Sequence, residues 1–257
     1  MLGIIGCQVL EDAIMRTIAD DDDVRSVLIV NTGVASSLCE KLIKAAPDKK
    51  VLLVENDRIP SIKVEGFTVL VRLMPISLHQ IPIELRETVI AEALKMEMRC
   101  KVILLFYGMC GDAFKNFDFV INRLNGPTVI LRDRKEEIVD DCIGAELGGT
   151  EEYLRFLLTT KRGFPMNSMW AANWRHFMQE TQLLGPESDL DEARFVFACM
   201  DYGNAVKIES GTADKEEYER DIRTFADVFN FVVIRFPGSL NVFKDSYKKA
   251  KEILFEG

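Results

Sequence analysis

Six cysteines, at positions 7, 39, 100, 110, 142 and 199, and two histidines, at 79 and 176, carry most of the soft-ligand chemistry available to this chain. No two cysteines form a C-x-x-C pair, and a disulfide framework is not expected of a chain of this size and composition. Most of these thiols are expected to be buried core residues, because free cysteine is among the most buried residue types. Cys110 differs. It follows the apolar run Lys101–Tyr107 and is bracketed by Gly108 and Gly111, so the backbone can turn sharply there and hold the thiol at a strand's carboxyl end. Cys7 ends a first apolar run, and His79 follows another strand and a proline. Cys142 comes one helix after a further strand.

Two thiols, an imidazole and a third thiol are a suitable donor set for zinc or iron, which favour sulfur and nitrogen. Cys7, His79, Cys110 and Cys142 are therefore the expected metal ligands. Tyr107, Gly108 and Gly111 are the expected cofactor-binding neighbours. A bound metal would deprotonate the thiols, and a missing fourth protein ligand would leave a position open for substrate. Each residue also has a plain structural reading, in which the thiols pack in the core and His79 hydrogen-bonds a carbonyl. Cys39, Cys100, Cys199 and His176 read as structural.

The elements that must position these residues follow from hydrophobic periodicity. Leu2–Cys7, Ser26–Asn31, Lys50–Glu55, Phe67–Leu73, Lys101–Tyr107 and Pro127–Arg132 read as strands. They are apolar nearly throughout and alternate with helical stretches, which predicts a parallel sheet covered on both faces. A helix or irregular turn is expected over 113–124, a helix over 135–143, and another from 151 to 160 with Thr150 as its N-cap. Residues 163–174 hold both tryptophans, two methionines and a proline, and read as a packed crossing loop or as an aromatic surface anchor for a partner. A helix over 175–184 is expected to break at Gly185-Pro186. Beyond it, 195–200 and 205–209 read as strands, 216–230 as a helix, 231–236 as a strand and 239–255 as a closing helix.

The fold class is thus α/β, a doubly wound, mostly parallel sheet with helices on both faces, as one continuous sheet or as two lobes. Residues 1–160 form the main α/β domain, 161–193 an aromatic-rich connecting segment, and 194–257 a C-terminal α/β segment. In such sheets ligands bind beyond the carboxyl ends of the strands, which is where Cys7, His79 and Cys110 fall.

With 257 residues, 48% hydrophobic and 28% charged, the chain can bury a sizeable core. A net charge of −9 argues against nucleic acid as a partner, since phosphate binding needs a basic face. No apolar run reaches the roughly 20 residues that span a bilayer. No secretory leader is read at the amino terminus. The expectation is a cytoplasmic protein with no membrane partner, and self-association is left open. Dinucleotide-binding, Walker A, nucleophile-elbow and H-E-x-x-H motifs are absent.

Several short motifs recur together: Cys7 with Leu10, Leu78-His79, Tyr107-Gly-Met-Cys110-Gly, and Asp141-Cys142 followed by a glycine pair. Glu152-Tyr153, the 163–170 stretch, Ser210-Gly211, Glu217-Tyr218, Phe225-Ala226 and Pro237-Gly238-Ser239 complete the set. The combination resembles a domain-of-unknown-function family common in methanogenic archaea and anaerobic bacteria, often encoded beside corrinoid-dependent methyltransferases. That resemblance implies a metal-binding accessory protein of corrinoid-dependent methyl metabolism, with a corrinoid protein or methyltransferase as partner. It maps the family's cysteines and histidine onto Cys7, His79, Cys110 and Cys142. The chain departs from the pattern at Asp140, where the family carries a histidine. Two alternatives stand beside this reading. One is an enzyme that transfers a methyl or alkyl group through a metal-bound or activated thiolate. The other is a metal-free interaction module anchored by Trp170 and Trp174.

Overall fold

A computed structural model describes residues 1–56, 58, 63–183 and 190–256. The chain opens with β1 (Leu2–Cys7), α1 (Glu11–Ala19), β2 (Val24–Val30), α2 (Ser36–Ala45), β3 (Lys50–Val54) and β4 (Phe67–Met74). It continues through α3 (Pro82–Glu97), β5 (Val102–Phe106), α4 (Phe117–Ile121) and β6 (Thr128–Ile130). Strands β1 to β6 form one parallel sheet in the order β3-β2-β4-β1-β5-β6. Every residue of β1 and β5 is buried, as expected of central strands covered on both faces.

The period-2 alternation divides the core cleanly. Leu2, Ile4, Val27, Val71, Leu104 and Phe106 point to the face covered by α1 and α2. Ile5, Cys7, Leu28, Leu70, Leu105 and Tyr107 point to the face covered by α3 and α4.

A second unit follows, made of α5 (Cys142–Leu147), α6 (Thr150–Thr159), β7 (Gly163–Met166), α7 (Ser168–Glu180), α8 (Leu190–Cys199), β8 (Asn204–Glu209), α9 (Lys215–Phe229) and β9 (Val232–Pro237). Its three strands form a separate parallel sheet in the order β7-β8-β9. Helices α7, α8 and α9 cover one face through a cluster centred on Trp174, Phe197 and Phe225. Helices α5 and α6 cover the other through Leu147 and Phe156, packed on Val206, Ile208 and Phe236. The α/β class is therefore observed, and the two sheets give two lobes. The last helix, α10 (Asn241–Glu256), returns to the first lobe and stacks Phe243 on Phe106 at 5.7 Å between ring centroids. Lys251 binds Asp21 and Asp23, and Tyr247 donates to Asp21 at 2.9 Å, so the chain's end is tied to the turn before β2.

Several local expectations are corrected. The stretch expected as a strand over 195–200 is helical to Cys199. Ala193 and Phe197 are buried while Phe195 stays 68% exposed, which is a helical stripe that a short apolar run conceals. The aromatic stretch 163–174 is no loop, because β7 and the start of α7 occupy it. Within 113–124 only Phe117–Ile121 is α-helical, and the expected helix over 135–143 is replaced by a turn. Asp133 accepts three backbone N–H groups there, from Lys135, Glu137 and Thr150, which competes with helix formation. Thr150 is accordingly the first residue of α6, with Gly149 before it. The Gly185-Pro186 break lies outside the described residues. Among those residues no helix is long and apolar enough to cross a membrane.

Phe243 is fully buried, so Phe243→Ala should cost about 3–5 kcal/mol. Urea unfolding followed by circular dichroism checks this, and a cost under about 1 kcal/mol would mean that α10 contributes little to the first lobe.

Candidate functional site

Strands β1 and β5 are neighbours, with Gly6 opposite Phe106. The chain leaves β1 for α1 on one face of the sheet and leaves β5 for α4 on the other. Their carboxyl ends therefore lie at a topological switch point, where open α/β sheets form a crevice. Cys7 is the last residue of β1, and Tyr107 directly follows β5 on the same face of the sheet. Val9 N–H donates to Cys7 Sγ at 3.5 Å as the chain turns into α1.

The turn after β5 is shaped by contact with residues 139–140. Met109 N–H donates to the Val139 carbonyl and Cys110 N–H to the Asp140 carbonyl, both at 2.8 Å. A side chain at Gly108 would put its Cβ 2.4 Å from the Val139 oxygen, so only glycine permits that approach. Cys110 (φ 46°) and Gly111 (φ 66°) then both adopt left-handed backbone. For a non-glycine residue that conformation is strained, and such strain is characteristic of functional sites. The same contact delivers Cys142. Asp141 accepts the Gly144 N–H at 2.8 Å as the cap of α5, which makes Cys142 the first residue of the helix.

Three predicted ligands, Cys7, Cys110 and Cys142, are thereby drawn into one neighbourhood. Burial pushes the Cys7 thiol up to about 12. Burial raises Cys110 further, with contributions from Cys7, Asp141 and Asp140. Cys142 is raised well above the ordinary thiol value, again mainly by burial and then by Asp141, Cys7, Cys110 and Glu146. All three are neutral thiols at neutral pH, and each opposes ionisation of its neighbours. Such thiols are poor nucleophiles on their own.

Tyr107 is 1% exposed, and its hydroxyl has no hydrogen-bond partner among the described residues. Its ring packs on Phe114 at 5.3 Å and on His79 at 6.0 Å. His79 joins the group through that ring. Its Nδ1 lies 3.2 Å from the Ile76 carbonyl, an acceptor, so Nδ1 carries the proton and Nε2 keeps its lone pair. Burial lowers its pKa and keeps it neutral. Among the described residues no group of three or more His, Cys, Asp and Glu side chains is already arranged to hold an ion.

The other cysteines stand apart. Cys100 is buried beside Gly3, and Cys199 is exposed. Trp174 is 4% exposed and packs edge-on against Phe225 and Phe229, while Trp170 packs on Phe164 and Phe177. The surface-anchor reading of these tryptophans is thereby corrected, because their rings build the core of the second lobe.

Glu146 was not singled out from sequence. It follows Cys142 by one helical turn, a spacing that shares a helix face, but an acid in a helix ordinarily reads as solvated. Here it is 1% exposed with Oε2 unpartnered, and burial raises its pKa to about 7 against weaker help from Ser210 and Asn167. Gln8 Oε1 and Thr32 Oγ1, just past β1 and β2, are likewise buried and unpartnered.

One protein family, described as Protein of unknown function (DUF1638), matches residues 73–247, well over half of the chain. The match includes His79, Cys110 and Cys142 and begins after Cys7. No curated protein matches the chain.

Two outcomes follow from the electrostatics. In the folded protein near pH 8, Cys199 should react with a maleimide while Cys7, Cys110 and Cys142 stay protected, and all six thiols should react in denaturant. Mass spectrometry reads this, and rapid labelling of Cys110 in the native state would contradict its assignment as a neutral thiol. Glu146 has a folded pKa above its unfolded one, so its stabilising contribution is complete below 4.5 and is lost as pH rises through about 7. Relative to Glu146→Gln, the native protein should lose about 3 kcal/mol between about pH 4.5 and 8. Chemical denaturation of the pair across that range checks it, and parallel stability curves would refute it.

Proposed function

Because the chain belongs to the DUF1638 family, whose description assigns no activity, we propose a function from the site itself: Cys7, Cys110 and Cys142 bind one thiophilic transition ion, zinc or iron. One observation supports the reading. Three thiols from three separate chain segments lie close enough to oppose one another's ionisation at the switch point, near a tyrosine hydroxyl that has no partner among the described residues.

The donor chemistry fits such an ion. Sulfur suits both metals, and a divalent cation removes the obstacle to ionising three neighbouring thiols. Closing the side chains onto the ion is part of binding. When bound, the metal would supply Lewis acidity at any coordination position that the protein leaves open. The chain's own residues do the rest. Asp140 and Asp141 place carboxylates near the cluster. Residues 139–140 fix the turn that presents Cys110. The Tyr107 hydroxyl offers a hydrogen bond, and His79 Nε2 supplies the one nitrogen donor of the group.

In this role the protein serves as a metal-binding accessory factor. The corrinoid protein or methyltransferase partner implied by the family resemblance belongs to the same proposal, and oxygen-free co-purification from a host that makes both tests it.

Protein purified without oxygen should carry about one equivalent of zinc or iron, with sulfur in its coordination shell by X-ray absorption. Cys110→Ser and Cys142→Ser should each lower the bound metal by at least about tenfold at equal chelator concentration. Less than about a third of an equivalent, unchanged by Cys110→Ser, overturns the proposal.

A further inference from the structure

The second sheet has its own crevice at the carboxyl end of β8, under the first turns of α9. It forms a cavity of about 970 Å³, near the upper end of the roughly 300–1,000 Å³ typical of small-molecule sites. Its inner wall is cationic. Lys207 projects from the central strand and is 5% exposed, with its ammonium 4.7 Å from the Tyr218 ring centre. The Tyr218 hydroxyl is held by backbone on both sides, accepting from Ile208 N–H at 3.0 Å and donating to the Met166 carbonyl, so the ring is a fixed floor.

Around this floor three cations converge on one carboxylate. Glu219 receives Lys207 Nζ at 2.9 Å, Arg223 Nη2 at 2.7 Å and Arg235 Nη2 at 3.0 Å. These contacts hold its carboxyl down to about 2. Glu209 is the second acid of the cluster and lies 3.4 Å from Arg235. Two carboxylates therefore face three cations, and the rim adds Lys215, Arg220 and Glu216, with Arg220 paired to Asp221 at 3.2 Å. In a chain of net charge −9 such a local excess is unusual.

The helix N-terminus does not account for it. The Asp214 side chain already accepts the N–H groups of Glu216 and Glu217 at 2.9 and 3.0 Å. The preceding loop leaves space, for a side chain at Gly211 (φ 81°) would meet nothing within 4 Å. The groove is thus roomy and preset by pairs of guanidinium and ammonium groups. Those groups already hold one oxyanion, the Glu219 carboxylate.

We propose that this groove binds a small-molecule oxyanion, a phosphate or polycarboxylate, through Lys207, Arg223 and Arg235. Guanidinium forks suit such groups because they donate two parallel hydrogen bonds to one oxyanion. The site is separate from the thiol cluster and does not depend on a metal there.

Calorimetric titration of the full chain at low salt with inorganic pyrophosphate and, separately, with citrate tests it. Binding of at least one probe is expected, weakened about tenfold by Arg223→Gln and by Arg235→Gln, as for loss of one charge-assisted contact. Both arginines are more than half exposed, so these variants keep the fold. Lys249→Gln, a surface cation paired with Glu136, should leave affinity unchanged. Pyrophosphate alone assigns a phosphate-bearing ligand, citrate alone a polycarboxylate, and both a general oxyanion site. Binding of neither probe, or binding that Lys249→Gln weakens as much as Arg235→Gln, overturns the proposal.

Discussion

The candidate site depends on one close approach, in which the chain at 108–110 lies flush against residues 139–140. Gly108 has no room for a side chain, and two backbone N–H groups donate across the contact. Leaving a backbone partner of those bonds unpaired is costly wherever it is shielded from water. The approach stabilises a left-handed Cys110 whose backbone strain is of order 1–3 kcal/mol. It also sets where α5 begins. Because Cys142 packs against both cores of the first lobe and the core under α5 and α6, this contact joins the end of β5 to the second lobe.

The lobes are further held by polar groups that a simple two-lobe protein would leave in solvent. Asn167, the cap of α7, donates to the Val9 carbonyl at 2.9 Å. Ser168 donates to Asp12, and Lys41 reaches Glu11 and Asp12 at 2.7 and 2.6 Å. Two buried carboxylates share one ammonium there, so negative charge remains uncompensated. Asp12 in turn raises Glu146 across the junction. A buried ion set of this kind adds little net stability, but its removal piece by piece is expensive, which favours one relative placement of the lobes. The return of α10 to the first sheet acts in the same direction, since separating the lobes requires the chain to cross between them twice.

Much of this was legible in the residues, and the failures share a cause. All six strands of the first sheet were readable, since central parallel strands are apolar throughout and their neighbours are helical. The strand-end positions of Cys7 and Cys110 follow from that reading together with Gly108. Their convergence with Cys142 does not, because it rests on a backbone contact between segments thirty residues apart that no local pattern encodes. The 195–200 run misled because its alternating aromatics fit a strand, while only the packing of Phe197 on Phe225 and Phe229 distinguishes a helix. Trp170 and Trp174 looked like a break in texture because the second lobe's core is aromatic where the first is aliphatic. Glu146 was invisible because burial is a tertiary property, and a charged residue gives no local sign that its solvent has been removed.

The two sheets place ligand-binding geometry at equivalent positions and fill it with opposite chemistry. At the ends of β1 and β5 the inward residues are Cys7 and Tyr107. They are neutral and desolvated, and they can be ionised together only by a cation. Toward the end of β8 and on β9 the corresponding residues are Lys207, Glu209 and Arg235, already charged and paired around Glu219. Helix α5 lies between the two regions, with Cys142 in its first turn and Glu146 in its second. Glu146 is raised in part by Asp12 and held in part by Ser210, the residue that follows β8. One short helix therefore touches the thiol cluster at one end and the loop of the cationic groove at the other. Occupying either region changes the electrostatic field at Glu146, with a cation near Cys142 favouring its ionised form and an anion beyond Ser210 its protonated form. The buried Glu146 carboxylate at the lobe junction is thus the group on which the two regions act with opposite sign.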